Sequence, residues 1–592
     1  MKKLAVLLLI GASFVSHAAP QSPFMTNVYG RESVSLDGTW NAIIDPYQVG
    51  EGKKLFLDRK ATDPAQFYEY SWDGGLQLEV PGDWNHQAPE LLYYEGTVWY
   101  SRHFDATPQS GRRQYLYFAA VSYRCRVYLN GEMVATHEGS FTPFQVEVTD
   151  ILKSGDNFLC VEVSNTRTAD AIPAMSFDWW NYGGITRDVM LVSVPDRFVY
   201  DYALSLDAGS GNHVNVSVTM SDPGIQEVTL TIPELKVRKT LRTDSGGYAS
   251  ASVKVSGLVR WNPGQPKLYD VTISSGGDSI SEQIGFRTLS TDGTKILVNG
   301  KPVFMRSISF HEEIAPEARR AVSQKDAEYL LGNAAELGVN MVRLAHYPQN
   351  EYIERLADRM GIIIWEEIPL WQSIDFTNAS TREKAIRMYK EMIWRDRNRC
   401  AVCFWGVANE TRPGEVRDAF LTEVLESAKA MDDTRLFAIA NDVVYYRESS
   451  GKFEMDDPFT EKLDVVGVNK YMGWYAPWPL DPKDCIWDVA PRKPLIITEF
   501  GAEAMYGVCG NEDWADSWSE DYQAKLYRDN LTMFANIPNL AGISPWVLFD
   551  FRSPYRFHPT KQEGWNRKGV LSDKGEKKKS WYIINEYYKS IR

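Results

Sequence analysis

The chain has 592 residues, too many for one domain of ordinary size, and 44% hydrophobic with 24% charged residues is a globular composition. Its 64 basic and 78 acidic side chains give a formal net charge of −14. An acidic chain without a basic block is poorly suited to phosphate backbones, so the composition argues against nucleic-acid binding.

Residues 1–19 have the pattern of a secretory signal peptide. Lys2 and Lys3 precede an apolar run, and small residues follow as far as Ala18 and Ala19. No other stretch approaches 18 uninterrupted apolar residues, so we expect no membrane insertion. The sequence therefore predicts an exported protein, most simply a periplasmic one.

Two β-rich regions follow in chain order. Residues 20–195 contain short alternating strands separated by turn signals and predict a jelly-roll-like β-sandwich. Residues 196–289 are again poor in helical patterns and have the size of an immunoglobulin-like β-sandwich. Neither region contains the long amphipathic segments that a helical layer would require.

The pattern changes in residues 290–592, where apolar runs alternate with amphipathic segments. Eight such runs predict the strands of a (β/α)₈ TIM barrel. They are residues 303–309, 339–345, 361–367, 401–409, 435–440, 464–470, 494–500 and 541–549. Cys403 lies in the fourth run and Cys400 lies directly before it, and no second pair of metal ligands is nearby. We therefore interpret both as buried structural thiols rather than as a zinc or redox site.

The active site of such a barrel lies at the carboxyl ends of its strands. Glu410 follows the fourth predicted strand and Glu499 lies in the seventh, so both side chains are expected at the barrel mouth. A pair of carboxyl groups is what glycoside hydrolysis requires, one as proton donor and one facing the anomeric carbon. Glu366, Glu367 and Asp550 are expected in the same layer, so position alone does not assign the two roles.

Several segments in fixed order resemble glycoside hydrolase family 2, the family of β-galactosidases and β-glucuronidases. They span nearly all of the chain after the predicted signal peptide. The resembling segments are EGTVWYSRHF (95–104), GSFTPFQVEVTD (139–150), FDWWNYGGITRDV (177–189), RLAHYP (343–348), FWGVANE (404–410), ITEFGA (497–502) and WSEDYQ (518–523).

The resemblance implies a retaining exo-glycosidase with Glu410 as general acid/base and Glu499 as nucleophile. It further implies that Asn409 binds the sugar 2-hydroxyl. The same resemblance places four more side chains around the sugar: Asp178, His346, Tyr471 and Trp546.

The identity of the sugar depends on a later segment. Asn566 and Lys568 match the N-x-K pattern with which β-glucuronidases hold the substrate carboxylate, and NKYMGWY (469–475) resembles another glucuronidase segment. An ammonium and an amide donor suit a C6 carboxylate. Other interpretations stay open at this point. These positions are also compatible with a solvated turn before the final helix, and the surrounding segment, DFRSPYRFHP…GWNRKG, also resembles smaller β-galactosidases of the family. The alternative activities are therefore β-galactosidase and β-galacturonidase. The large β-galactosidases bind magnesium through a Glu and a His, but EEIPLWQ (366–372) lacks that His, so no metal or other cofactor is expected.

The expected partner is a carbohydrate, either a glycan or a conjugate, and the resemblance also implies homo-oligomers. A carbohydrate-binding protein without activity would lack a catalytic carboxylate or the preceding Asn. Because Glu410, Glu499 and Asn409 are all present, the sequence favours an enzyme over that distant alternative.

Overall fold

The structure, a computed structural model, describes residues 22–591 except 61, 64 and 67–69. The predicted signal peptide, residues 1–19, lies outside these residues. Within the described part of the chain, no helix is both long enough and apolar enough to cross a membrane.

Two antiparallel sheets form the predicted jelly-roll-like sandwich. Alternate residues such as Leu159, Val161 and Val163 are fully buried between the sheets, which is the period-two pattern of a strand with one face on a core. The four-stranded sheet has the order Ser33–Ser35, Val189–Pro195, Arg112–Phe118 and Phe144–Glu147. The six-stranded sheet has the order Leu76–Val80, Gly38–Ile44, Thr97–Ala106, Gly155–Ser164, Arg124–Leu129 and Glu132–Glu138.

A second, smaller sandwich follows and has the predicted immunoglobulin-like character. Its core is made by the apolar side chains that alternate along each strand, such as Val214, Val216 and Val218. One sheet contains Val199–Leu206, His213–Met220 and Tyr248–Lys254. The other contains Val237–Arg242, Glu227–Ile232, Leu268–Ser275 and Asp278–Gly285. A three-stranded meander, Leu289–Asp292, Lys295–Val298 and Lys301–Pro302, leads into the next domain.

Eight parallel strands close into a barrel, which confirms the predicted fold class. The strands are nearly continuous apolar runs because the packed interior of the barrel covers one of their faces and the surrounding helices cover the other. In order they are Met305–Phe310, Met341–Leu344, Ile363–Glu367, Val402–Asn409, Leu436–Asn441, Val465–Asn469, Leu495–Glu499 and Leu540–Ile543. We refer to them below as barrel strands one to eight.

Helices cover most of the barrel, and their ends follow local sequence signals. The first long helix begins after Ser323, whose side chain accepts from the Asp326 amide in a capping box, and it ends at Gly338, where φ is 95°. The long helices are Gln324–Leu337, Glu351–Met360, Ala379–Asp396, Glu415–Lys429, Glu520–Phe534 and Lys579–Ser590.

The connection after barrel strand five departs from the predicted strand–helix alternation. In place of a long helix it carries a hairpin, Val444–Arg447 with Lys452–Met455, which pairs with Trp487–Asp488. The sequence here alternates rather than repeating every 3.6 residues, and Gly451 supplies the left-handed turn conformation (φ 68°). This hairpin adds a wall beside the barrel mouth.

Barrel strand eight is also shorter than the predicted range 541–549. It ends at Ile543, and the backbone of Trp546 then donates to Phe500 O (3.0 Å) instead of continuing the ladder. Pro545 has no amide hydrogen to donate, which interrupts regular pairing at this point. The irregular segment carries Trp546 across the mouth of the barrel.

The first sandwich packs directly on the barrel. The buried guanidinium of Arg187 binds Glu312 (3.0 Å) and the Pro348 carbonyl (2.7 Å), and the rings of Phe141 and Tyr347 stack with centroids 4.0 Å apart. These contacts hold the segment around Asp178 over the carboxyl ends of the barrel strands.

Candidate active site

A cavity of about 460 Å³ lies at the carboxyl ends of the barrel strands, a volume in the usual range for a small-molecule site. The structure brings together eight of the nine predicted site residues in its lining: Asp178, His346, Glu410, Tyr471, Glu499, Trp546, Asn566 and Lys568. The ninth, Asn409, is 98% buried directly beside Glu410.

Both carboxylate oxygens of Glu499 are held by donors. Arg343 Nη1 donates to Oε1 at 2.7 Å, and the Tyr471 hydroxyl donates to Oε2 at 2.7 Å. Charge-assisted hydrogen bonds of this kind are strong, and they fix the orientation of the carboxylate. A charged, immobile carboxylate is suited to attack an electrophilic carbon.

Arg343 connects Glu499 to a buried polar network below the cavity. Its guanidinium also binds Glu367 at 2.8 Å and the Asn409 side-chain oxygen at 2.8 Å. Burial would raise the pKa of Glu367, but Arg343 and His346 outweigh that effect and lower it to about 2. Glu367 is therefore a permanent anion that orients Arg343 and His346 rather than an acid.

Glu410 has different surroundings. Strand four is irregular between Gly406 and Asn409, and the Glu410 backbone adopts a left-handed conformation with φ 50°. A non-glycine residue held there is strained, and such strain is typical of functional sites. Its backbone amide donates to Ala440 O (2.8 Å), which pins the residue beside barrel strand five.

Hydrogen bonds and burial have opposite effects on the pKa of the Glu410 carboxyl group, and burial has the larger effect. Gln372 Nε2 and Asn469 Nδ2 donate to its oxygens at 2.9 and 2.8 Å. Burial, followed by the negative charges of Glu499 and Asp442, raises the pKa of Glu410 to about 8. The site thus combines a protonated carboxyl group with an ionised one, the combination that acid-assisted glycosyl transfer requires.

Asn409 lies between the two carboxyl groups. Its side-chain oxygen accepts from Arg343 and from Asn469 Nδ2 (3.2 Å). Its buried Nδ2 has no hydrogen-bond partner among the described residues. An amide nitrogen in this position can donate to a ligand hydroxyl, the role that the sequence resemblance implies for Asn409.

Aromatic rings form one side of the cavity. Trp546 stacks on His346 with centroids 4.9 Å apart, and Trp179 from the sandwich meets Trp371 edge-on at 5.7 Å. His311 is buried among these rings, and burial lowers its pKa well below the usual range. Flat apolar surfaces beside polar side chains are suited to a sugar ring, which has both kinds of surface.

Another part of the cavity wall carries a cluster of charged and polar side chains, which we call the clamp. Asp178, Arg556, Asn566 and Lys568 line the cavity, and Glu503 contacts Arg556 and Lys568. Lys568 is 99% buried and donates to the Tyr475 hydroxyl (2.7 Å) and Glu503 (3.4 Å). Arg556 binds Asp178 and lies 3.3 Å from Glu503, while Asn566 Nδ2 donates to Asp178 at 3.3 Å. The alternative of a solvated turn at Asn566 and Lys568 is wrong, because both side chains are buried.

Sequence analysis did not assign roles to several residues of the site. Arg343 and Asn469 lie at or next to the ends of barrel strands two and six, so the strand-end signal indicates their position but not their role. Glu503 carried a weaker signal, its position four residues after Glu499. Gln372 lies on a loop and carried no signal of this kind, whereas Asp442 directly follows barrel strand five, in the same kind of position as Glu410 after strand four.

Other polar residues that lie at or after the ends of barrel strands do not line the cavity. Arg552 stacks on Trp180, with 4.5 Å from its guanidinium carbon to the ring centroid, and does not line the cavity. Asp550 is buried and binds Lys578 (2.7 Å), which anchors the last helix. Glu366 points to Arg395 (2.9 Å), on the side away from the cavity.

Cysteine thiols and clustered carboxylates are the side chains outside the cavity whose spacing resembles that of metal ligands. Cys400 and Cys403 are buried free thiols, as the prediction of structural thiols requires. Among the described residues, one group of acidic side chains has metal-ligand spacing, Glu354 with Glu366 and Asp396. Arg395 forms ion pairs with all three carboxylates, so they have a cationic partner within the protein itself.

Comparison with protein families identifies the class of this fold and site. Three models match in succession: "Glycosyl hydrolases family 2, sugar binding domain" over residues 34–195, "Glycosyl hydrolases family 2" over 198–287, and "Glycosyl hydrolases family 2, TIM barrel domain" over 290–552. The chain belongs to glycoside hydrolase family 2 and is a glycoside hydrolase.

Individual relatives agree with this assignment. The chain is 28% identical over 626 residues to the β-glucuronidase of Rattus norvegicus, with 94% of this chain and 91% of the rat protein covered. Its structure is similar to Bifidobacterium dentium β-glucuronidase complexed with coumarin-3-O-glucuronide (TM-score 0.82, 24% identity, 96% and 99% coverage). It is also similar to a galacturonate-bound family 2 β-galacturonidase from Eisenbergiella tayi (TM-score 0.80, 24% identity, 95% and 98% coverage).

Proposed function

We propose that this protein is a retaining exo-β-glucuronidase. The observation that carries the proposal is the clamp, which places the buried ammonium of Lys568 and the guanidinium of Arg556 in the wall of the cavity that holds Glu410 and Glu499. A lysine has three N–H donors, and the protein uses two of them on Lys568. A substrate carboxylate could take the third.

The reaction follows from the two carboxyl groups. Glu499 attacks the anomeric carbon while Glu410 gives its proton to the leaving oxygen, and a glycosyl ester forms on Glu499. Glu410, now ionised, removes a proton from water, which attacks the same carbon and releases Glu499. Two inversions leave the sugar with its original configuration.

The clamp predicts which variant changes substrate preference. We expect aryl β-glucuronide to be cleaved faster than aryl β-galactoside, and Lys568→Met to lower kcat/KM for the glucuronide by about 10²-fold with little effect on the galactoside. Lys574→Met, at an exposed position nearby, is the matched control. A faster galactoside rate in the wild type, with the glucuronide rate unchanged in Lys568→Met, would contradict the proposal.

A β-galacturonidase activity is the second candidate. Glucuronide and galacturonide carry the same C6 carboxylate and differ at C4, and the clamp cations respond to the carboxylate. Asp178, one of the two carboxylates of the clamp, accepts from Ser553, Arg556 and Asn566. Including an aryl β-galacturonide in the same assay separates the two activities.

We also propose export, on the sequence pattern of residues 1–19, and homo-oligomerisation, on the family resemblance. A mature protein whose mass corresponds to removal of about 19 residues, found in the periplasmic fraction, would support export. Light scattering on the purified protein measures the oligomeric state.

A further inference from the structure

The wall of the cavity beside Glu410 is distinct from the clamp. Asp442 follows barrel strand five, next to strand four, which carries Glu410, whereas the clamp cations Arg556 and Lys568 follow strand eight. The leaving group is attached to the oxygen that Glu410 protonates. It therefore lies on the side of strands four to six, where Asp442, Tyr445 and Lys470 line the cavity.

Asp442 differs from the other carboxylates of the cavity in its hydrogen bonding. Glu410, Glu499 and Asp178 each accept from at least two side chains. No other described residue donates to the Asp442 carboxylate, and its Oδ1 is buried without a partner. A partly buried carboxylate in a cavity wall without donors of its own is suited to accept hydrogen bonds from a ligand.

The charges around Asp442 indicate what kind of donor fits. Burial raises the pKa of Asp442, and the positive charges of Arg412 and Lys470 oppose that rise. Lys470 Nζ donates to Val444 O at 2.6 Å and, among the described contacts, forms no hydrogen bond or ion pair with the Asp442 carboxylate. Since two cations already act on this carboxylate, neutral hydroxyl groups suit it better than a third cation.

Tyr445 adds an apolar surface to the same wall. It lies on the hairpin strand Val444–Arg447, and its side chain is 46% exposed. Lys470 Nζ lies 5.7 Å from the ring centroid, close enough for a cation–π interaction that helps to position the ring. An exposed aromatic ring beside a hydrogen-bond acceptor is suited to a pyranose, which has hydroxyl edges and an apolar face.

We propose that this wall is a binding subsite for a sugar as leaving group, in which Asp442 accepts hydrogen bonds from its hydroxyls and Tyr445 packs against its ring. The natural substrates are then glucuronyl oligosaccharides rather than aromatic conjugates. This inference rests on the proposed β-glucuronidase function.

The test uses three substrates with different leaving groups: p-nitrophenyl β-glucuronide, methyl β-glucuronide and a disaccharide of glucuronic acid β-linked to a neutral hexose. The methyl glucuronide needs proton donation as the disaccharide does, but its leaving group offers no further hydroxyls. We expect Asp442→Asn to lower kcat/KM at least tenfold more for the disaccharide than for the methyl glucuronide. Tyr445→Ala should raise KM selectively for the disaccharide.

Glu448→Gln is the matched control, because Glu448 is an exposed carboxylate of the same hairpin. If Asp442→Asn slows the methyl glucuronide and the disaccharide equally, Asp442 acts through the proton donor and the inference is overturned. The inference is also overturned if Asp442→Asn has the same kcat/KM as the wild type for each of the three substrates. If the wild type cleaves galactosides but no glucuronide, the proposed function fails instead, and a galactosyl series then tests the subsite separately.

Discussion

Glu410 and Glu499 are identical side chains whose surroundings give them different properties. Glu499 has a guanidinium and a phenol on its two oxygens, whereas Glu410 has two neutral amides and the negative charges of Glu499 and Asp442 nearby. Cationic donors favour a carboxylate, and burial beside anions favours a carboxylic acid. The division of roles between nucleophile and acid therefore follows from neighbours a few ångströms away.

The raised pKa of Glu410 predicts the pH dependence of the reaction. Because only the protonated form can donate, kcat/KM should fall as pH rises through about 8, the pKa of this group. In Glu410→Gln the alkaline limb should disappear for p-nitrophenyl β-glucuronide. Hydrolysis of the methyl glucuronide should fall about 10²- to 10⁴-fold, since it needs the proton. An unchanged alkaline limb in this variant would assign the titration to another group.

Barrel strand four shows how an element determines the position of a site residue. Gly406 lies in this strand against strand three, and a Cβ built on it would be 2.5 Å from Trp365 Nε1 and 2.8 Å from Glu367 Cβ. The two strands can approach this closely because Gly406 has no side chain. The close approach holds strand three, with Glu367, against the strand that carries Asn409 and Glu410.

We expect Gly406→Ala to destabilise the protein by about 1–3 kcal/mol, the usual cost of overpacking a core. It should also lower kcat, because Trp365 and Glu367 must shift. Gly332→Ala is the control, since Gly332 is helical and a Cβ there meets nothing within 4 Å. That change should stabilise the protein by about 0.5–1 kcal/mol. Urea unfolding measures both, and equal midpoints for the two variants would show that the strands are not in close contact.

At the scale of the whole molecule, the site is complete only when the first sandwich is docked on the barrel, because Asp178 and Trp179 of the sandwich line the cavity. Asp178 belongs to the sandwich, and Arg556 belongs to a loop that follows barrel strand eight. Their ion pair holds one of the two clamp cations in place. The sandwich therefore contributes to the site directly, in addition to covering the barrel.

We expect Asp178→Asn to lower kcat/KM for aryl β-glucuronide by about 10²-fold, because Arg556 loses its charged partner and its orientation. The control is Asp170→Asn, which removes an ion pair with Lys384 across the same domain boundary but outside the cavity. Steady-state kinetics measure both variants, with thermal unfolding to verify folding. If the two variants lose the same activity, general domain docking, rather than the clamp, is responsible.

The fold class and the eight barrel strands could be predicted from the sequence because they depend on local patterns. Alternating hydrophobicity marks strands with one buried face, and continuous apolar runs mark barrel strands covered on both faces. The predicted alternation of strands and helices was less accurate at two places, the end of barrel strand eight and the connection after barrel strand five. Pro545 ends strand eight early, and the hairpin around Gly451 replaces a helix.

The sequence and the tertiary structure each determine a different part of the chemistry of the site. The sequence by itself determined which glutamates lie at strand ends, and the family segments implied their roles. Only the tertiary structure decided that Arg343 and Tyr471 bind one glutamate while Gln372 and Asn469 bind the other. It also decided that Lys568 is buried against Glu503 and that Asp442 has no donor among its described neighbours. These properties depend on distances between side chains from different elements, and no pattern along one chain segment specifies such distances.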